Sequence, residues 1–173
     1  IFSLKPKGKA AVVVPTGFIT AQSGIEKKIR QKLVDDKMLR GVISMPSNIF
    51  ATTGTNVSIL FIDKENKEDV VLIDASGLGE KVKEGKNQKI LLNTNDEAQI
   101  INTFNKKEVV NDFSVVVSYN DIKAKNYSFS VGQYFEIKID YIDITKNEFD
   151  KKIRESIDKL TEQFEESKKR EAD

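Results

Sequence analysis

Apolar residues along this chain fall into two rhythms. Ala10-Ala11-Val12-Val13-Val14 is an unbroken apolar run closed by Pro15, the pattern of a strand covered on both faces in a sheet sandwiched by helices. Ile25, Ile29 and Leu33 then recur every fourth residue, with Lys27, Lys28, Arg30 and Lys32 off that face, which predicts an amphipathic helix. Ser23 and Glu26 have capping-box spacing at its start. A second apolar stretch, 39–45, stops at Pro46. Strand, helix and strand thus make a β-α-β unit with a right-handed crossover. Residues 57–62 and 70–73 predict two further strands, and the short polar stretch 63–68 between them predicts an antiparallel hairpin.

After Asp74 the texture changes. Residues 76–89 are rich in Gly and Lys and read as a loop. Residues 95–105 predict a short helix, opened by Thr94 and Glu97 in capping-box spacing and burying Ala98, Ile101 and Phe104. Residues 113–117 predict a short strand, and 127–131 are aromatic and Ser-rich without a clear period. From Thr145 to about 169 runs a long helix, opened by Thr145 and Glu148. Phe149, Ile153, Ile157, Leu160 and Phe164 make one stripe along it, at spacings of 4, 4, 3 and 4. Such a seam packs either on its own domain or, coiled-coil fashion, on another subunit. The pattern divides the chain into a sheet region, 1–75, a loop-rich connecting segment with a short helix and strand, 76–144, and an amphipathic helix, 145–173.

Composition narrows the chemistry. There is no Cys and no His, which excludes disulfides, thiolate metal sites, the Ser-His-Asp triad and Cys-His pairs. Lys and Arg total 28 against 27 Asp and Glu, so composition does not predict that this piece binds DNA by itself. No apolar run approaches the roughly 20 residues of a membrane span, and no signal peptide is visible. The chain opens on Ile1 and runs almost at once into a strand, which reads as a cut inside a larger protein.

Candidate motifs are few. Gly77-Leu78-Gly79 follows a strand, but a dinucleotide fingerprint needs a third glycine and an immediate helix, and the following Glu80-Lys81-Val82-Lys83-Glu84 has no apolar helical face; a plain loop is expected. Gly85-Lys86-Asn87 is out of register for a P-loop and lacks its Ser or Thr. Phe50-Ala51-Thr52-Thr53-Gly54-Thr55-Asn56 lies past the end of the strand closed by Pro46. Sites in α/β sheets sit in crevices beyond the strands' carboxyl ends. Phe50 there either plugs the core or stacks on a flat ligand.

Several segments, taken in order, resemble the tail of the N6-adenine methylase domain in type I modification subunits. They are Gly8-Lys9-Ala10-Ala11-Val12-Val13-Val14-Pro15, then Gly24-Ile25-Glu26-Lys27-Lys28-Ile29-Arg30-Gln31-Lys32-Leu33, Met45-Pro46 with Ile49-Phe50, and Gly54-Thr55-Asn56-Val57 through Leu60-Phe61-Ile62. Tyr127-Ser128-Phe129-Ser130-Val131-Gly132-Gln133-Tyr134-Phe135 resembles the segment before that family's C-terminal helices.

The resemblance implies an α/β fold: the C-terminal half of a Rossmann-like methyltransferase sheet, β-α-β plus a terminal antiparallel hairpin, followed by a mixed segment and a long helix. It also implies methyl transfer from S-adenosylmethionine to the exocyclic amine of adenine in duplex DNA, with the base drawn out of the stack. The family's Gly-rich cofactor turn and its Asn/Asp-Pro-Pro-aromatic motif precede the strand that starts here at Lys9. This sequence holds neither; its prolines are Pro6, Pro15 and Pro46. The fragment is therefore expected to be inactive and to bind S-adenosylmethionine poorly or not at all.

By order, Phe50 matches an aromatic that packs on the flipped adenine, with Thr53, Gly54, Thr55 and Asn56 in a DNA-proximal loop. The implied partners are duplex DNA, a specificity subunit and a restriction subunit, with no membrane and a cytoplasmic place. The Phe149–Phe164 stripe resembles the part that packs on the specificity subunit. Two alternatives stand beside this reading: a non-enzymatic assembly module acting through its helix, and a nucleotide-binding α/β domain using Gly77-Leu78-Gly79.

Overall fold

The structure, a computed structural model, describes residues 3–50, 54–84, 87–135 and 145–171. In chain order the elements are β1 (Lys9–Pro15), α1 (Gly17–Thr20), α2 (Gly24–Asp35), β2 (Leu39–Ser44), β3 (Val57–Asp63), β4 (Val70–Asp74), β5 (Glu80–Glu84), β6 (Asn87–Leu91), α3 (Thr94–Lys106), β7 (Ser114–Val117), α4 (Tyr119–Ala124), a 3-10 turn (Val131–Gln133) and α5 (Lys146–Glu171). They form two compact units, Ile1–Glu136 and Ile137–Asp173.

The first unit is built on a mixed sheet of order β1-β3-β2-β4-β7. The β-α-β unit is present, but β1 and β2 are not neighbours. β3 lies between them and runs antiparallel to both, so β1 and β2 are parallel across it. β4 pairs parallel with β2, and β7 antiparallel with β4.

The expected hairpin of residues 57–62 and 70–73 does not form, because β2 separates these strands. Burial explains the choice. β3 is apolar on both sides and gains more cover between two strands than at an edge; Leu60 and Ile62 are buried there. Val70-Val71-Leu72-Ile73 are all buried too. The connection is bridged by Asn66, whose side chain donates to the Leu39 carbonyl at 3.0 Å and to the Tyr119 hydroxyl at 2.7 Å; that hydroxyl donates to the same carbonyl at 2.7 Å. Asn66 and Tyr119 thus satisfy the first carbonyl of β2 while the chain crosses from β3 to β4.

Helices cover both faces. Leu33, Val34, Val42, Leu60, Leu72, Ile122 and Phe129 belong to one core cluster, and Ile43, Val71, Ile73, Ile100 and Phe113 to the other, on the α3 side. Phe104 of α3 lies directly on Gly41, where an added Cβ would stand 2.5 Å from the Phe104 ring and 2.7 Å from the Val71 carbonyl oxygen. The Phe61 and Phe104 ring centroids are 4.7 Å apart.

Local details depart from the sequence pattern in four places. Residues 76–89, expected as a loop, contain most of the β5–β6 hairpin. Helix α3 is capped by Asn93 with Asp96, not Thr94 with Glu97, and it buries Ile100 and Thr103 rather than Ala98 and Ile101. Ser23 makes no side-chain cap; the chain turns into α2 through Gly24 at φ +80°. Arg30, expected off the buried face of α2, is fully buried, while Ile25 and Ile29 are exposed. The expected cap of α5 is present: the Thr145 N–H and hydroxyl both donate to Glu148 Oε2 at 2.9 Å. The five stripe residues, Phe149, Ile153, Ile157, Leu160 and Phe164, are all exposed on that helix.

β1 ends the sheet. Its outer backbone edge has no partner strand among the described residues, and Val12 and Val13, which point to opposite faces, are both exposed.

Candidate functional site

β1, β2 and β4 run the same way, so their carboxyl ends share one rim of the sheet. Three loops leave from it: 16–23, 45–56 and 75–79. Backbone hydrogen bonds tie them into one surface. The Thr16 N–H donates to the Asn56 carbonyl (2.9 Å), Met45 N–H to Val57 (2.9 Å), and Ala75 N–H to Ser44 (2.9 Å).

Arg30 braces the first loop. Its Nε donates to the Tyr127 carbonyl at 2.7 Å, and its two terminal nitrogens donate to the carbonyls of Phe18 and Ala21. The guanidinium also lies over the rings of Phe18 and Phe129. Burial lowers its pKa and Glu26 partly opposes this, but an arginine stays charged at any working pH. One planar fork thereby joins the turn after β1 to the strained stretch at Asn126 and Tyr127, both at positive φ. The helical period hid this role, because it marked Arg30 as polar.

Phe50 stands on this rim, 50% exposed, in neither core cluster. It does not plug the core. Gly54, Thr55 and Asn56 are exposed, and Gly54 lies 3.4 Å from Asn48 Oδ1, measured from where its Cβ would be. Asn48 itself adopts φ +54°. Thr53 lies outside the described residues.

Gly77-Leu78-Gly79 does not fit a nucleotide cradle. Gly79 has φ +86°, and a Cβ there would meet Ile90 Cγ2 at 2.6 Å, so the hairpin already fills the space. A strand, not a helix, follows it. The cleft of about 450 Å³ in the first unit lies at the other end of the sheet, among Lys9, Arg40, Phe61, Asp63, Ile101 and Phe104. It borders the uncovered part of β1 and not the rim. Burial pushes the Asp63 carboxyl up, but the Glu65 N–H, Lys9 and Arg40 outweigh it, leaving the pKa below its usual value. Among the described residues, no group of three or more His, Cys, Asp or Glu side chains is placed to hold a metal, and no helix is long and apolar enough to cross a membrane.

The family model for N-6 DNA methylases matches residues 1–144. The chain belongs to that family. A curated relative, the methylase subunit of the type I restriction enzyme MpnII from Mycoplasma pneumoniae, is 32% identical over 165 residues, covering 94% of this chain and 28% of the relative. The MjaIX methylase subunit from Methanocaldococcus jannaschii is 24% identical over 180 residues, covering 98% and 31%. The chain therefore spans about three tenths of the length of these curated relatives.

Among solved structures, the methyltransferase subunit of a type I restriction-modification system from Streptococcus thermophilus superposes with a TM-score of 0.68 at 25% identity, over 78% of this chain and 28% of that one. A chain from a type I restriction-modification complex shares the fold alone, with a TM-score of 0.58 at 14% identity over 94% of this chain and 36% of that one. The mixed sheet, with an antiparallel strand between two parallel ones, is thus a portion of a Rossmann-like N-6 DNA methylase fold.

Proposed function

We propose that this chain is the C-terminal portion of the methylase subunit of a type I restriction-modification system. In that reading the complete subunit transfers a methyl group from S-adenosylmethionine to the N6 amine of an adenine drawn out of duplex DNA. The observation that carries the reading is the open β1 edge. An edge strand whose middle, Ala10 to Val14, is wholly apolar invites another strand, and the relatives it resembles are more than three times its length. Strands of the remaining portion continue the sheet beyond β1. They bring the cofactor cradle and the residues that accept the amine hydrogens; within this chain Gly79 is packed against Ile90, and no helix follows Gly77-Leu78-Gly79 to meet a phosphate.

On this chain's rim Phe50 stacks against the flipped adenine, and the loop through Thr53, Gly54, Thr55 and Asn56 lies along the duplex. The α5 stripe docks on the specificity subunit, and the restriction subunit joins the same assembly.

The test is methyl transfer from labelled S-adenosylmethionine to duplex DNA. The complete subunit with its specificity subunit is expected to form N6-methyladenine, and the 173-residue chain alone to form none. Methylation by the chain alone, or a complete complex that assembles without methylating, overturns the reading. The second of these results is what a non-enzymatic assembly module would give, a reading that the exposed α5 stripe favours.

A further inference from the structure

The three rim loops, residues 16–23, 45–56 and 75–79, contain no charged residue at all. A surface meeting a duplex confronts one phosphate charge per roughly 1.7 Å of helix axis. Uncharged loops do not answer that field, so cations from a neighbouring element have to.

The β5–β6 hairpin leaves from this rim. It begins directly after Gly79 and the carboxyl end of β4, and the Ile90 N–H donates to the Asn48 carbonyl at 3.1 Å, which joins β6 to the loop that carries Phe50. Between Glu80 and Leu91 the sequence holds four lysines and two acids, a basic stretch in a chain whose charges nearly cancel. Lys81 and Lys83 are two residues apart on β5, hence on one face, about 7 Å from each other along the strand. Both are exposed and neither makes an ion pair among the described residues. Glu80 and Val82 point to the opposite face. The hairpin pairs in continuous register from Glu80 with Leu91 to Glu84 with Asn87, and Ile90 is buried at its root, so the lysines sit on an ordered ribbon.

We propose that Lys81 and Lys83 form a phosphate-contacting clamp that holds the DNA backbone beside the Phe50 loop. The proposal rests on the DNA methylase reading above and adds to it a binding site for the sugar-phosphate backbone. Its contacts are sequence-independent: they add affinity and register, and base recognition lies elsewhere.

The experiment uses the complete methylase complex carrying K81Q and K83Q together, with K81R/K83R as the charge-preserving control. Binding to a mixed-sequence synthetic duplex is measured by anisotropy between 50 and 200 mM salt, roughly the range over which phosphate contacts lose most of their strength. The slope of log K against log salt is expected to fall in magnitude by about 2 in the Gln variant, near 0.9 for each lost contact. The Arg variant keeps the wild-type slope, and affinity for S-adenosylmethionine is unchanged in both.

An unchanged slope in the Gln variant overturns the proposal. So does a reduced slope in a Gln variant whose complex falls apart on gel filtration, which would make the lysines a subunit contact. Failure of the wild-type complex to bind or methylate DNA is a different result and strikes the methylase reading itself.

Discussion

Val12 and Leu60 are direct partners across the β1–β3 ladder, yet Leu60 is 2% exposed and Val12 41%. Partners across an antiparallel pair share a face. Burial therefore collapses within one strand spacing, about 4.8 Å. On the other face Val13 is 51% exposed. The middle of β1 is thus exposed on both faces, although Ala10 and Val14 pack on the core, and it is here that the proposed reading continues the sheet.

Phe50→Ala in the complete subunit separates a ligand-stacking side chain from a core one. Base–aromatic stacking is worth about 1–3 kcal/mol, so DNA affinity or methylation is expected to fall by roughly 5- to 150-fold. The melting temperature stays close to wild type, because the ring is half exposed and outside both core clusters. A drop of many degrees with unchanged methylation would return Phe50 to a structural role.

Arg30→Ala leaves three backbone carbonyls without their charged donor in a buried place. Each unsatisfied group costs on the order of 1–3 kcal/mol, and part of that is recovered by water. A loss of about 3 kcal/mol in denaturant unfolding is expected. Arg30→Lys recovers little, because a single ammonium cannot reproduce the planar fork. Equal stability of Lys and wild type would show that charge alone matters.

Asp63 supplies a pH dependence. Its folded pKa is below the unfolded value near 3.9. Its contribution is therefore present above about pH 4 and is lost as pH falls through the folded pKa. Wild type is expected to exceed Asp63→Asn in stability at neutral pH, and the gap to close on acidification. A gap that is constant with pH would mean that the ion pairs with Lys9 and Arg40 add nothing.

Removing residues 145–173 is expected to abolish assembly with the specificity subunit while unit Ile1–Glu136, which contains the whole sheet, keeps its melting behaviour. Co-purification and a thermal melt read the two effects separately. Normal assembly of the shortened subunit would remove α5 from the interface.

The sequence made the strands legible because their apolar runs are long and bounded by Pro15, Pro46 and polar stretches. It did not reveal which strands pair. Pairing of β3 between β1 and β2 depends on which arrangement buries most on both faces, and the apolar run 57–62 does not by itself name its neighbours. The β5–β6 hairpin was hidden by its composition. Lys81 and Lys83 recur with period 2, but lysine-rich strands resemble loops when judged by polarity. For the site, Phe50 and Gly54-Thr55-Asn56 were legible from their place past Pro46. Arg30 was not, since a side chain that folds back to hold distant carbonyls leaves no periodic mark.

Hydrogen exchange along residues 9–15 tests the central claim most directly. In the complete methylase subunit, the β1 amides that point away from β3 are predicted to exchange as slowly as those of β2, because a further strand covers them. In the 173-residue chain alone the same amides exchange freely. Free exchange at those amides in the complete subunit, matching the isolated chain, would contradict the account.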